Sequence, residues 1–180
     1  MISKTNFETV LNLWKTKLWP DRKSAIESHS AMLINDTFDL KNFNYPATFF
    51  IYSIDGKIVG CNSGHMCLDD MYRSRGLYVD PNFRKQGIGR ELLLATIEQG
   101  VKEQAKSIWS YPRYESWSTY KSAGFTLTSE WKKSETGINA YCSIPNTFLT
   151  HSSDKTKVSA TDTETLQFHC AEHCSVSYFR

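Results

Sequence analysis

The residues best suited to chemistry form one run, Leu77-Tyr78-Val79-Asp80-Pro81-Asn82-Phe83-Arg84-Lys85-Gln86-Gly87-Ile88-Gly89-Arg90-Glu91-Leu92-Leu93. A strand-like stretch ends at Asp80-Pro81, a turn with two glycines follows, and an amphipathic helix begins. The first N–H groups of such a helix lack carbonyl partners, and the helix dipole adds partial positive charge where they converge. Gly87 and Gly89 carry no Cβ, so an anion can approach the backbone closely. The chemistry predicted is the binding of a pyrophosphate, with Arg84, Lys85 and Arg90 adding charge around it. Other phosphate loops fit less well. No Lys-Ser/Thr follows Gly89, as a Walker A loop requires, and Leu92 stands where a dinucleotide fingerprint needs its third glycine. The plain alternative is a helix capped by a glycine turn.

A second group lies just upstream. Arg73 and Arg75 alternate on a predicted strand, so both side chains share one face, with Tyr72 and Ser74 opposite. Two guanidinium groups on one face can clamp a carboxylate or a phosphate. They can equally be solvated edge charge, or contacts to phosphates held by the glycine turn. Tyr111, Arg113, Tyr114 and Trp117 are candidates to line the same mouth.

These groups need elements to hold them. Phe7, Val10, Leu11, Trp14 and Leu18 recur at helical spacing and predict a helix over residues 6–18. A weaker helix is expected over 24–34, with Ala25, Ile26, Met32 and Leu33 inward. Aromatic and β-branched residues predict a strand over 47–54, and Asp55-Gly56 a hairpin turn. The returning strand covers 57–67 and a third strand 71–79. Ile88, Leu92, Leu93, Ile97 and Val101 lie along one face of a helix from 88 to about 104. A strand over 106–111, a short helix over 117–122, and strands over 124–131 and 138–144 complete the body.

The chain has 180 residues, 40% apolar and 22% charged, which suits one compact domain. A formal charge of +2 argues against nucleic acid as a partner. No run approaches the ~20 apolar residues of a membrane span, and no export signal is seen at the start. Five cysteines without such a signal point to free thiols in a reducing cytoplasm. His169-Cys170-Ala171-Glu172-His173-Cys174 is spaced too tightly for an ordinary tetrahedral zinc site, so no metal is expected. From residue 151 onward nine of thirty residues are Ser or Thr. The expected division is therefore a domain over 1–146 and an extension over 147–180, either mobile or docked as a peripheral strand.

Arg84-Lys85-Gln86-Gly87-Ile88-Gly89 resembles the main motif of the GNAT acetyltransferase superfamily, R/Q-x-x-G-x-G/A, at every fixed position. Leu77 to Pro81 looks like that family's usual lead-in, and Tyr120-Lys121-Ser122-Ala123-Gly124-Phe125 is similar to its Tyr-x-x-x-Gly-Phe. The resemblance covers roughly 47–145. It implies an α/β fold: a mixed, mostly antiparallel twisted sheet flanked by helices and splayed at strands 4 and 5. It implies an acetyltransferase that moves an acetyl group from acetyl-CoA to a primary amine by direct attack. The N–H groups of Lys85, Gln86, Gly87, Ile88, Gly89 and Arg90 would hold the pyrophosphate. Backbone groups of Leu77 and Val79 would pair with pantetheine, and Tyr120 would protonate the departing thiolate. The acceptor would be a small molecule or a peptide, with a carboxylate or phosphate if Arg73 and Arg75 clamp it. A homodimer through a sheet edge is compatible.

Two departures bear on mechanism. Many members carry an asparagine where this chain has Arg113, and a glutamate base where it has Gly76. His65, Asp69, Asp70 and Glu115 are the remaining candidates for a base, and deprotonation of the amine by bulk water is an equal alternative. The missing glutamate also leaves open a different class of protein, a non-catalytic acyl-CoA sensor or interaction module.

Overall fold

The computed structural model describes residues 1–134 and 137–144. Strand β1 (Ile2–Thr5) precedes helix α1 (Phe7–Leu13), which Asn6 caps by accepting from the Thr9 N–H at 3.0 Å. Strands β2 (Ala47–Ile54), β3 (Lys57–Met66) and β4 (Met71–Val79) form an antiparallel meander. Asp55 and Gly56 both have positive φ, as the tight turn between β2 and β3 requires. Helix α2 (Ile88–Lys102) crosses back, so β5 (Ser107–Ser110) lies parallel to β4. Helix α3 (Trp117–Ser122), β6 (Thr126–Leu127), β7 (Lys132–Ser134), β8 (Gly137–Asn139) and β9 (Cys142–Ile144) follow.

The main sheet has seven strands in the order β1-β2-β3-β4-β5-β9-β6, and only the β4–β5 pair is parallel. Both faces are covered. On one, Ile88 and Leu92 of α2 pack on Phe50 and Val59, and Leu93 packs with Tyr72. On the other, Val10 and Trp14 pack on Phe49, Cys61 and Tyr78. This is the expected α/β architecture. No helix among the described residues is long and apolar enough to cross a membrane.

Several elements differ from expectation. Strand β1 was not expected; Ile2 to Thr5 join the edge of β2. The predicted helix over 6–18 is α-helical only to Leu13 and widens into a π-helical turn over Trp14–Leu18. The helix predicted over 24–34 is not helical. Its apolar positions skip a turn, where Ser28 and His29 stand, so no continuous stripe exists. Its carbonyls serve the sheet instead: Arg75 takes those of Glu27 and Ser28, and Arg73 that of Met32. The strand predicted over 124–131 is reduced to Thr126–Leu127, and the last predicted strand is split into β8 and β9. The His169–Cys174 segment and the extension over 147–180 lie outside the described residues.

Candidate active site

The site begins where the sheet opens. β4 and β5 pair only from Met71 to Arg73, against Ser107 to Trp109. Pro112 cannot donate to a ladder, and the chain turns away toward α3. A last tie is the Ser110 hydroxyl, which donates to the Ser74 carbonyl at 2.8 Å. Beyond it, β4 runs on to Val79 with no strand of the described residues beside it on the β5 side.

The opposite edge of β4 is irregular at the same level. Cys61 faces Tyr78 and Ser63 faces Arg75, so Gly76 and Leu77 together stand opposite Asn62. This is a β-bulge, which re-aims backbone groups. Gly76 has φ +75°, and a Cβ there would lie 2.3 Å from the Trp14 ring. Trp14 Nε1 donates to the Gly76 carbonyl at 2.8 Å. The missing glutamate thus has a physical reason, because Trp14 fills the space its side chain would need.

At the far end of β4 the turn into α2 gathers donors. Lys85 and Gly87 both have positive φ, which curls successive N–H groups toward one space. Glu91 is the first residue of the helix to find a backbone acceptor, the Gly87 carbonyl at 3.0 Å. The N–H groups of Ile88, Gly89 and Arg90 precede it, and no side chain caps them. Arg84 folds back so that Nε meets the Val79 carbonyl at 3.0 Å, and Arg90 Nε meets the Ser122 carbonyl at 2.9 Å. Lys85 and Gln86 are exposed. A Cβ on Gly89 would lie 2.9 Å from Thr119 and 3.6 Å from Val79, between α3 and β4.

Tyr120 stands at the opening, 3% exposed, with its hydroxyl 3.4 Å from Ser110 Oγ. Burial raises its pKa above the usual phenol value, and the Ser110 hydrogen bond partly opposes this. The phenol is therefore protonated at neutral pH. The opening, the glycine turn and Tyr120 line one cleft of about 1270 Å³. An open strand edge beside a cationic cradle of free N–H groups suits an elongated ligand with an amide-bearing arm and a pyrophosphate.

Residues 11–125 match the acetyltransferase (GNAT) family. The chain belongs to that family. Solved GNAT structures share the fold at low identity. One is an acetyltransferase of the family from Staphylococcus aureus Mu50, with TM-score 0.57 and 17% identity over 81% of this chain and 98% of that one. Another is Ard1 from Thermoplasma volcanium, with TM-score 0.57 and 19% identity over 79% and 95%. The ribosomal-protein-S18-alanine N-acetyltransferase from Escherichia coli aligns with TM-score 0.52 and 19% identity over 81% and 92%. No curated protein matches the chain. The reaction type that accompanies the family is acyl transfer.

The cleft of this GNAT chain gathers most of the sequence-derived residues. Leu77, Val79, Arg84, Lys85, Gly87, Ile88, Gly89, Arg90 and Tyr120 line it, together with Arg73 and Arg75. Tyr111, Arg113 and Glu115 join them, while Tyr114 and Trp117 instead pack edge-on to Trp131. Asp69, Asp70 and His65 stand outside the group. His65 is fully buried, its Nδ1 meets the Met66 carbonyl at 2.8 Å, and its Nε2 accepts from the Ser30 N–H at 3.3 Å. Burial, and then the charges of Arg73 and other neighbours, lower its pKa to about 3.

Sequence reasoning missed several contributors. Ser110 links Tyr120 to β4, Trp14 occupies the glutamate position, and His29 lines the cleft with its pKa lowered by burial and by Arg75. Trp14 carried a helix-stripe signal only, and nothing in the residues near Ser110 or His29 marks them. The buried thiols hold their protons: burial raises Cys61 to about 12 and Cys67 to about 11, and pushes Cys142 up as well. Among the described residues no group of His, Cys, Asp and Glu is arranged to hold a metal.

Proposed function

We propose that this protein is an N-acetyltransferase that moves an acetyl group from acetyl-CoA directly to a primary amine. The observation that carries the proposal is the opening between β4 and β5, flanked at one end by the N–H cradle and crossed at the middle by a protonated Tyr120.

Each residue has a part that follows from its chemistry. The N–H groups of residues 85–90, with Arg84, Lys85 and Arg90, bind the pyrophosphate of the cosubstrate. The unpaired edge at Leu77 and Val79 hydrogen-bonds its amide arm as an added strand would. Acetyl-CoA supplies a thioester whose carbonyl accepts the amine and whose sulfur leaves. Backbone N–H at the Gly76–Leu77 bulge polarises that carbonyl. Tyr120 hydrogen-bonds the departing sulfur and delivers the proton that makes it a thiol, and the proton that the attacking amine loses passes to solvent, from which the Tyr120 phenolate is reprotonated. A phenol is a weaker acid than a thiol of pKa ~8.5, so the hydrogen bond to the forming thiolate carries much of the benefit. Among the described residues, Cys61, Cys67 and Cys142 are too firmly protonated to serve as nucleophiles, which favours direct attack over an acyl-enzyme.

Calorimetric titration with acetyl-CoA tests this. Wild type is expected to bind, and Gly89→Trp, whose ring enters the space between α3 and β4, to lose binding while staying folded. Tyr120→Phe should keep binding and lose roughly a hundredfold in kcat, read by thiol release with an amine panel. Equal binding by wild type and Gly89→Trp would put the cofactor elsewhere. Binding without turnover of any amine would leave a sensor rather than an enzyme.

A further inference from the structure

Two buried arginines stand side by side in the cleft, and neither forms an ion pair with a described residue. Arg73 and Arg75 are each 7% exposed and project from the face of β4 opposite Ser74 and α2. Every ion pair among the described residues uses a lysine, so neither arginine has a carboxylate. Arg73 lies over the Trp109 ring at 4.6 Å, and its Nη1 donates to Ser30 Oγ and to the Met32 carbonyl. Its Nε is buried with no partner. Arg75 lies against Trp14 at 4.8 Å and Trp19 at 5.3 Å, two rings that themselves pack 5.2 Å apart, and its Nη1 donates to the Glu27 and Ser28 carbonyls. No acceptor among the described residues meets its Nε or Nη2. Arg22 adds a third positive charge that acts on both, and Glu27, beyond ion-pair distance, offsets Arg75 more weakly than Arg73 and Arg22 oppose it.

A buried charge without a counter-charge is costly, and two like charges on one strand face make it more so. The indoles and carbonyls offset part of that cost. Those carbonyl bonds account for how the segment over 27–32 is pinned to the sheet. They do not account for the uncommitted edge of Arg75. A guanidinium fixed against two packed rings, with the paired donors of its Nε and Nη2 edge left over, matches the two coplanar oxygens of a carboxylate.

Resting on the acyl-transfer reading, we propose that the acceptor is a small amine that also carries a carboxylate, and that Arg75, supported by Arg73 and Arg22, receives that carboxylate. The acceptor class is thus an amino-carboxylic acid, acylated on its amine.

The test is a panel of amino acids, their matched amides, and phosphoethanolamine, assayed by thiol release with saturating acetyl-CoA. The acids are expected to exceed their amides at least tenfold in kcat/KM. Arg75→Gln should erase that preference by raising KM for the acids more than it lowers kcat, with acetyl-CoA affinity kept. Because Arg75 also pins a segment, Arg22→Gln is the second variant: the side chain is exposed, so the fold is kept and the preference falls part of the way. Equal use of acids and amides, preference for phosphoethanolamine, or no use of any amino acid while acetyl-CoA still binds would each overturn the proposal. Failure of wild type to bind acetyl-CoA overturns the acyl-transfer reading, and this proposal with it.

Discussion

His65 holds a neutral imidazole under Arg73, Arg75 and His29, with both ring nitrogens engaged. Its folded pKa of about 3 lies below the unfolded value near ~6.5. Between these values the unfolded chain binds more protons than the folded one. Stability from this residue is therefore full above pH ~6.5 and is lost as pH falls toward ~3. From pH 7 to pH 5 the loss is about 2 kcal/mol, and His29, lowered in the same direction, adds to it. Urea midpoints are expected to drop over that range in wild type. In His65→Gln the midpoint should be lower at pH 7 but flatter with pH, and parallel curves would assign the titration to another group. The sequence presents His65 as a histidine on a strand near two arginines, which fits a base as well as a packed ring. Only the Ser30 N–H and the Met66 carbonyl, brought in by the fold, separate the two.

At the scale of elements, the bulge in β4 is the least legible feature and the glycine turn the most. The turn is local: its glycines, its cations and the helix stripe after it are contiguous, so spacing alone carries the argument. The bulge depends on Trp14, sixty-two residues away in sequence, whose indole bonds the Gly76 carbonyl. Helix 24–34 failed for a related reason, since the carbonyls expected to serve a helix serve Arg73 and Arg75. The bulge makes a prediction that separates strain from crowding. Gly76→Ala puts a Cβ at positive φ and 2.3 Å from Trp14, so it should cost roughly 3 kcal/mol or more. Gly56 also has positive φ but open space around it, so Gly56→Ala should cost only about 1 kcal/mol. Urea denaturation of the two variants reads the difference. Equal losses would mean that Trp14 yields easily and that the bulge is not braced by it.

For the whole molecule, the opening between β4 and β5 joins two sides of one sheet. Leu77, Val79 and Tyr120 pack toward α2, with Leu92, Leu93 and Ile88. Arg73 and Arg75 lie on the other side, against Trp14, Trp19 and the segment over 27–32. An acyl donor on the α2 side and an acceptor on the Trp14 side can meet at Ser74 to Leu77 without displacing each other. Among the described residues the thiols of Cys61, Cys67 and Cys142 are held protonated, so none of them is suited to store the acyl group between the two sides. The direct transfer proposed above needs both substrates bound at once. Initial rates at varied acetyl-CoA and acceptor should give intersecting double-reciprocal lines, whereas parallel lines would mean an acyl-enzyme. Alkylation mapped by mass spectrometry offers a check on the same point. Iodoacetamide should leave Cys61, Cys67 and Cys142 unmodified in the folded chain, because each is buried and its thiol pKa is raised. If one of them is labelled and the lines run parallel, the two-sided arrangement would serve two successive half-reactions rather than one direct transfer.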